Sequence, residues 1–392
     1  MAHWSPQEVA LNAFLRYLSE TVHGGEPVIL VLRGSLLLRH WFAESARPAA
    51  DIDLECFERV RGRRGNRFTS LIDHCRGLCC FATERAAWAN RGAAPVVEFD
   101  ENAVPEDGQS LWDYGTPGQR FHAGWTWHGP EERTGRIQID LAESGSYDLN
   151  EIGVTDVPLV SLDGSTFRFP CYAPETMLAT KLSWLLRSFG RLNPGGSDLE
   201  WKGDPKDLYD LHLLLTKTNL RVNVFQKALM AIGREDRLDW NNLQALFDVD
   251  RAEMTDADFR NWDEFREQHK DLVPSGPVEL LWTIADRLGP LLGDFYLPKE
   301  MPFLLAINAH PLDEAGFLIY ADWLEERGEE PRSHFLRLCS RLFFRAEQLS
   351  RKELARTRTA LQATLRITSV PWLLQLFGTS ARWKEMRQHI EG

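Results

Sequence analysis

Short apolar runs and alternating stretches organise the first half of the chain. Residues 5–23 carry apolar side chains at helical spacing behind a serine–proline start, which predicts an amphipathic helix. Residues 28–32 form a continuous apolar run, typical of a buried strand. Residues 51–54 and 136–141 alternate between polar and aliphatic positions, as strands with one buried face do.

The remaining pattern predicts further strands and then helices. Residues 67–85 are expected to be helical, and residues 100–120, rich in Pro, Gly and acids, are expected to form a surface loop. Further strands are predicted near residues 95–99, 121–127, 157–161 and 165–170, and helices over 174–188, 205–216 and much of 222–298. The pattern therefore predicts an α+β fold whose second half is largely helical.

A sharp turn follows the first predicted strand at Gly34-Ser35. Glycine permits the turn, and Ser35 is expected to cap a helix over residues 36–42. Backbone N–H groups at such a turn can bind a phosphate.

Three acids are predicted to converge beside this turn. Asp51 and Asp53 project from the same side of one strand because strand side chains alternate. Asp140 joins them if its strand lies beside theirs. Such a cluster can hold two Mg²⁺ ions and an NTP for in-line attack on phosphorus, with the third carboxylate as proton acceptor. The alternative is that these are strand-end acids that only accept hydrogen bonds.

Gly34-Ser35 followed by Asp51-x-Asp53 resembles the signature of the DNA-polymerase-beta-like nucleotidyltransferase fold. The chain is more specifically similar to the AbiEii/AbiGii-type toxin nucleotidyltransferases. Two later motifs match that family in order: Lys-Leu-Ser-Trp-Leu-Leu-Arg from Lys181 to Arg187, and Lys-Asp-Leu-Tyr-Asp over residues 206–210. The resemblance covers about residues 10–290.

The resemblance implies a polymerase-beta-like mixed sheet with flanking helices and a Mg²⁺-dependent transfer of NMP from an NTP to an acceptor. It also implies tRNA as that acceptor, a bacterial toxin or phage-defence role, and a cognate antitoxin protein. The residues that it assigns to catalysis are Asp51, Asp53, Asp140, Asp207 and Asp210, of which the first three bind the metal. Those assigned to nucleotide binding are Gly34, Ser35, Lys181, Arg187 and Lys206.

The later motif residues have structural alternatives. Lys181 lies in a largely apolar helix and either contacts the triphosphate or extends to the surface. Asp207 and Asp210 share one helix face and either position substrate or pair with Lys206 and nearby arginines. Arg187 follows Lys181 by roughly 120° around an ideal helix, so the two need not face the same site.

The composition is that of a chain with packed cores. Its 392 residues are 43% hydrophobic and 11% aromatic, which excludes global disorder and predicts more than one domain. The scattered cysteines form no disulfide framework, and Cys75, Cys79 and Cys80 match no common zinc spacing. Without a basic leader or an apolar run of spanning length, a cytoplasmic protein without membrane contact is expected.

The net charge of −12 disfavours bulk nucleic-acid binding, but the charge is unevenly distributed. Residues 59–91, the Arg-rich segment, directly follow the Asp51/Asp53 strand. This segment either steers a polyanionic acceptor such as an RNA end or forms a solvated loop and helix face. A second basic stretch, residues 332–358, has the spacing of an amphipathic helix.

The last third of the chain carries a separate signature. The string Tyr-Ala-Asp-Trp-Leu-Glu-Glu-Arg-Gly, residues 320–328, resembles the repeat-companion domain of planctomycetes and myxobacteria. Gly328 is expected to end a helix of a helical hairpin. Three domains are predicted: a nucleotidyltransferase core over residues 1–172, a helical domain over 173–299 that completes the active site, and a separable helical module over 300–392.

Other functions stay open at the level of sequence. The acceptor could be a small cationic molecule or a protein instead of RNA, or the fold could serve as a catalytically silent interaction module. The presence of all three acids disfavours the silent module.

Overall fold

In a computed structural model, the chain divides into two units. The structure describes residues 4–21, 28–58, 75, 77–82, 97–99, 109–110, 118–128, 131–144, 149–160, 165–189, 204–236, 238, 240, 243, 246–247, 259, 261–273, 276–295, 297, 299–311, 313–377 and 387. The first unit comprises residues 1–182, 205–235 and 261–276, and the second comprises 183–204, 236–260 and 277–392. The three predicted domains stay a prediction.

Among the described residues, an eight-stranded mixed sheet forms the centre of the first unit. Its strands are β1 (Val28–Arg33), β2 (Asp51–Glu58), β3 (Val97–Phe99), β4 (Gln109–Ser110), β5 (Gly118–His128), β6 (Glu132–Glu143), β7 (Val154–Val160) and β8 (Thr166–Tyr172). They lie in the order β3-β5-β6-β2-β1-β8-β7, and β4 pairs with β5. The β1–β8 and β2–β6 pairs are parallel, whereas β1–β2, β5–β6 and β7–β8 are antiparallel.

The alternation along β2 and β6 separates an apolar face from the face that carries the acids. Ile52 and Leu54 of β2 are fully buried, as are Ile137 and Ile139 of β6. Apolar burial of this kind is the main stabilising contribution to the sheet, about 25 cal/mol for each Å² removed from water. The packing therefore fixes which side chains of both strands face the other way.

Helices flank the sheet. Those of the first unit include α1 (Pro6–Thr21), α2 (Gly34–Phe42), the start of α3 (Pro174–Phe189), α4 (Pro205–Lys217), α5 (Val222–Glu235) and α6 (Trp262–Gln268). Helix α1 packs against the sheet, and its Phe14 ring meets Phe99 of β3 edge-on at 6.0 Å between centroids. Ser5 and Glu8 begin α1 by exchanging hydrogen bonds, the Ser5 hydroxyl accepting from the Glu8 N–H at 3.2 Å.

The described part of the second unit is helical. Its helices include α7 (Pro277–Leu292), α8 (Met301–Ala309), α9 (Glu314–Glu325), α10 (Glu330–Phe344), α11 (Arg351–Leu365) and α12 (Val370–Phe377). Gly328 has a φ of +76° and lies between α9 and α10, and the N–H of Glu329 donates to the Leu324 carbonyl. The predicted helix end at Gly328 is thus confirmed.

The predicted α+β class is confirmed, with two local corrections. Residues 100–120 are not all loop, since β4 lies within them and β5 begins at Gly118 through its pairing with β6. The basic stretch 332–358 forms two helices, because Ser350 and Glu353 build a capping box that starts α11. The described residues 77–82 are helical, and the rest of the Arg-rich segment, apart from Cys75, lies outside the described residues.

The cysteines and the helix lengths bear on two further predictions, on disulfide bonds and on membrane-spanning segments. All six cysteines are free thiols, in agreement with the absence of a predicted disulfide framework. Among the described helices, none has the length and hydropathy needed to cross a bilayer.

Candidate active site

The pairing of β2 with β6 brings the three predicted acids together. The two strands run parallel, with Asp53 opposite Asp140 and Asp51 opposite Gln138. One carboxylate oxygen from each of Asp51, Asp53 and Asp140 lies within 4.8 Å of the other two. This arrangement is called the triad below. Carboxylate oxygens are the ligands that hard divalent cations such as Mg²⁺ prefer, so the donor set fits such an ion.

Burial and mutual repulsion make the triad electrostatically costly. Burial raises the pKa of Asp53 to about 7, and the charges of Asp51 and Asp140 add to the effect, while Arg33 and Lys181 oppose it. A cation at the triad would remove this cost, which supports a metal site over strand-end acids that only accept hydrogen bonds.

Position 34 requires a glycine, because its backbone lies close to the Asp53 carboxylate. Its φ is +79°, a region that residues with a Cβ rarely adopt. A Cβ built on Gly34 would lie 2.0 Å from Oδ2 of Asp53. The turn therefore combines a left-handed backbone with space for a carboxylate, and only glycine provides both.

The prediction that Ser35 caps α2 is wrong. The helix begins at Gly34, and its N-cap residue is Arg33, which makes no side-chain capping bond. The Ser35 hydroxyl donates instead to Oδ1 of Asp51 at 3.3 Å. Strand pairing places Asp51 within reach of this hydroxyl, so Ser35 orients a triad member.

Asp140 is held by side chains from its own strand and the neighbouring one. Arg120 of β5 lies directly opposite Asp140 in the antiparallel register. Its Nε and Nη2 donate to Oδ1 and Oδ2 of Asp140, both at 2.8 Å. Gln138 adds a third bond, from Nε2 to Oδ2 at 3.2 Å. An incoming hydroxyl would have to compete with these donors for the Asp140 oxygens, and the predicted role of Asp140 as proton acceptor stays a prediction.

A second cluster joins α3 and α4 to the loop before β2. Nζ of Lys181 lies 2.6 Å from Oδ1 of Asp207 and 3.0 Å from Oδ2 of Asp210. Nε and Nη2 of Arg47 donate to the two oxygens of Asp210, each at 3.2 Å. We call these four residues the Lys181 cluster.

Charge pairing dominates the electrostatics of the Lys181 cluster. Burial opposes ionisation of Asp210, but Arg47 and Lys181 outweigh it and lower the pKa of this carboxyl. Burial likewise disfavours the charge on Lys181, yet Asp207 and Asp210 raise its pKa. Asp210 and Lys181 therefore both stay ionised at neutral pH. The charges of Lys181 and Arg47 also act on Asp53 and Asp51, so the cluster adjoins the triad.

The sequence-predicted nucleotide-binding residues fall into different settings. Lys181 is buried, which rules out the alternative in which it extends to the surface. Lys206 is exposed, and Arg187 pairs with Asp236 at 3.2 Å within the second unit. The roles of these three residues in nucleotide binding stay predictions.

Arg33, Arg47 and Arg120 were missed by reasoning from the sequence. Arg33 is buried beside β2, where its Nη1 lies 3.4 Å from Oε2 of Glu55. A single arginine at the end of a strand carries no signal of its partner. Arg120 could have been found only with the β5–β6 register in hand, since twenty residues separate it from Asp140.

The model of the family described as "Nucleotidyl transferase AbiEii toxin, Type IV TA system" matches residues 16–288. No curated protein matches the chain.

Solved structures that are similar to the chain include the following two, both at low identity. MenT4, a nucleotidyltransferase toxin from Mycobacterium tuberculosis H37Rv, is 16% identical with a TM-score of 0.46, over 76% of this chain and 85% of that one. An antigenic nucleotidyltransferase-like protein from Paracoccidioides brasiliensis is 14% identical with a TM-score of 0.31, over 63% of this chain and 91% of that one.

Proposed function

The chain belongs to the AbiEii family of nucleotidyltransferase toxins, and we propose that it transfers NMP from an NTP to an RNA acceptor in a Mg²⁺-dependent reaction. The observation that carries the metal dependence is the triad, whose three carboxylates converge within 4.8 Å. The family belongs to type IV toxin–antitoxin systems, which implies a nucleotide substrate and an antitoxin partner.

Each part of the site has a role in this proposal. A divalent cation would neutralise the triphosphate and lower the pKa of the attacking hydroxyl. Asp51 and Asp53 would hold that ion, with Asp51 oriented by Ser35. The backbone at Gly34 leaves room for Asp53. The first N–H groups of α2, which begins at Gly34, would be the donors for a phosphate.

The Lys181 cluster supports the site through its charges. Lys181 neutralises Asp207 and Asp210, and Asp210 in turn fixes the guanidinium of Arg47 by two hydrogen bonds. Arg47 thereby keeps a fixed positive charge near Asp51. We assign Asp207, Asp210 and Lys181 to positioning this charge.

The acceptor is the least constrained part of the proposal. The family resemblance favours tRNA, and the Arg-rich segment would supply the cationic surface that an RNA end needs. A small cationic acceptor and a protein acceptor are the competing outcomes of the test below.

The test measures transfer of label from α-³²P-NTPs, with Mg²⁺, to total tRNA, to aminoglycoside-like cations and to protein in parallel reactions. We expect label on tRNA, and its loss by about 100-fold or more in Asp53→Ala. Asp156→Ala is the matched control, since Asp156 is an exposed acid of β7. Label on a small molecule or a protein alone contradicts the RNA acceptor, and an active Asp53→Ala contradicts the metal assignment.

A further inference from the structure

Asp140 differs from the other two triad members because a cation of the protein already binds it. Arg120 donates to both of its oxygens at 2.8 Å, and Gln138 donates at 3.2 Å. The Asp140 carboxylate is almost fully buried, at 3% exposed, whereas the Arg120 side chain is 31% exposed. Asp51, by contrast, accepts a bond from the neutral hydroxyl of Ser35.

A bidentate guanidinium–carboxylate pair competes directly with a metal. Each of these charge-assisted hydrogen bonds is about twice as strong as a neutral one. With the bond from Gln138, they occupy three of the roughly four lone-pair sites of the Asp140 carboxylate. A metal that uses Asp140 must therefore either displace one of these bonds or bind the remaining site on Oδ1 against the positive charge of the adjacent guanidinium.

We propose that Arg120 acts as a built-in counter-ion of Asp140 and limits the triad to one tightly bound divalent cation, at Asp51 and Asp53, when nucleotide is absent. Arg120 is thus a positioning residue, since it acts through Asp140. The inference rests on the metal dependence proposed above. It goes beyond it, because a residue outside the triad then determines how many divalent cations the triad binds.

Mn²⁺ binding to the full chain without nucleotide tests the proposal, measured by the loss of the free-ion electron paramagnetic resonance signal on titration. We expect one tight Mn²⁺ in the wild type. Arg120→Met removes the guanidinium charge and both of its bonds, and of the bonds described above only that from the neutral Gln138 amide stays on Asp140. We therefore expect a second tight Mn²⁺, with a stepwise Kd at least tenfold lower than in the wild type. Arg133→Met is the matched control on β6, because Arg133 is exposed and pairs locally, with Glu131 at 3.1 Å. It should leave both Mn²⁺ constants unchanged.

A second variant covers the case in which Arg120→Met does not fold. Arg120→Lys keeps the charge but offers a point donor in place of the fork, and so frees one oxygen of Asp140. We expect it to lower the second Mn²⁺ Kd by about threefold to tenfold. Two equally tight Mn²⁺ ions in the wild type, or unchanged second-ion binding in the variants that fold, would overturn the proposal. Because the readout is metal occupancy, its failure is distinguishable from a failure of RNA labelling.

Discussion

Lys181 illustrates how a buried charge depends on its partners. Its ammonium group lies against Asp207 and Asp210, and the side chain is only 4% exposed. Removing one member of a buried ion pair leaves the others unpaired in a medium of low dielectric, which typically costs about 3–5 kcal/mol. The cluster is therefore sensitive to the loss of Lys181 whether or not nucleotide is bound.

We expect Lys181→Met to lower the midpoint of thermal unfolding by roughly 6–20 °C in the absence of nucleotide, since each kcal/mol shifts Tm by about 2–4 °C in a folding unit of about 150–250 residues. Calorimetry checks the shift, with Lys206→Met as control because Lys206 is exposed on the adjoining helix. Unchanged Tm together with weakened NTP binding would instead make Lys181 a triphosphate ligand.

At the scale of single residues, the positions of the triad acids could be predicted from the sequence, but the arginines that pair with acids of the site could not. The alternation of Asp51 and Asp53 with buried Ile52 and Leu54 decides by itself which way the carboxylates point. The partners Arg47 and Arg120 depend on pairings over long sequence separations, which leave no local pattern. Ser35 shows the same limit, since its bond to Asp51 depends on how two separate elements meet.

The turn from β1 into α2 is the element on which the triad depends most. Gly34 adopts a positive φ and leaves space that a Cβ would take from Asp53. A change to alanine therefore has two costs. The left-handed backbone costs about 1–2 kcal/mol for a residue with a Cβ. In addition, the new methyl group must displace the Asp53 carboxylate.

Comparing Gly34→Ala with Gly328→Ala separates these two costs. Gly328 also has a positive φ, of +76°, but no atom of the described residues lies within 4 Å of the position that its Cβ would take. We expect both variants to lose some stability, and only Gly34→Ala to lose about tenfold or more in Mn²⁺ affinity, because only there does the new methyl group displace a carboxylate. Equal Mn²⁺ affinity in the two variants would mean that Asp53 is not a metal ligand.

The presence of a strand was easier to predict from the sequence than the strand with which it pairs. The apolar run of β1 and the two alternating stretches of β2 and β6 were visible as strands. Their order was not, since the parallel contact of β2 with β6 arises only when the chain returns after more than seventy residues. The strand β4 was missed because two residues are too few to show a period.

On the scale of the whole molecule, the candidate active site and the Tyr320–Gly328 signature lie in different units. The triad and the Lys181 cluster belong to the first unit, whereas the Tyr320–Gly328 string belongs to the second. Tyr320 of that string is fully buried, and burial together with Glu300 raises the pKa of its hydroxyl, which therefore keeps its proton. The hydroxyl donates to Oε2 of Glu300 and accepts from Nε1 of Trp372 at 2.8 Å.

This network reaches back across the predicted boundary at residue 300. Arg332 completes it with a bond of 3.1 Å to Oε1 of Glu300, and Gln375 donates to the carbonyl of Phe295. A chain cut after Glu300 would lose these partners at once. A point change in the network is therefore a sharper test of whether the second unit is needed for the site.

We expect Tyr320→Phe to destabilise the second unit by about 1–3 kcal/mol, because it takes the acceptor of the Trp372 N–H away and removes one of the hydrogen bonds to the buried Glu300 carboxylate. Mn²⁺ binding by the triad should be unchanged, since every triad residue belongs to the first unit. Ile319→Ala is the control in the same helix: Ile319 is 59% exposed, so the loss of more atoms there should cost little. Calorimetry and Mn²⁺ titration on the three proteins check both statements. A Tyr320→Phe protein that melts lower and also loses Mn²⁺ would show that the two units fold as one, and that the carboxy-terminal helices are integral to the metal site.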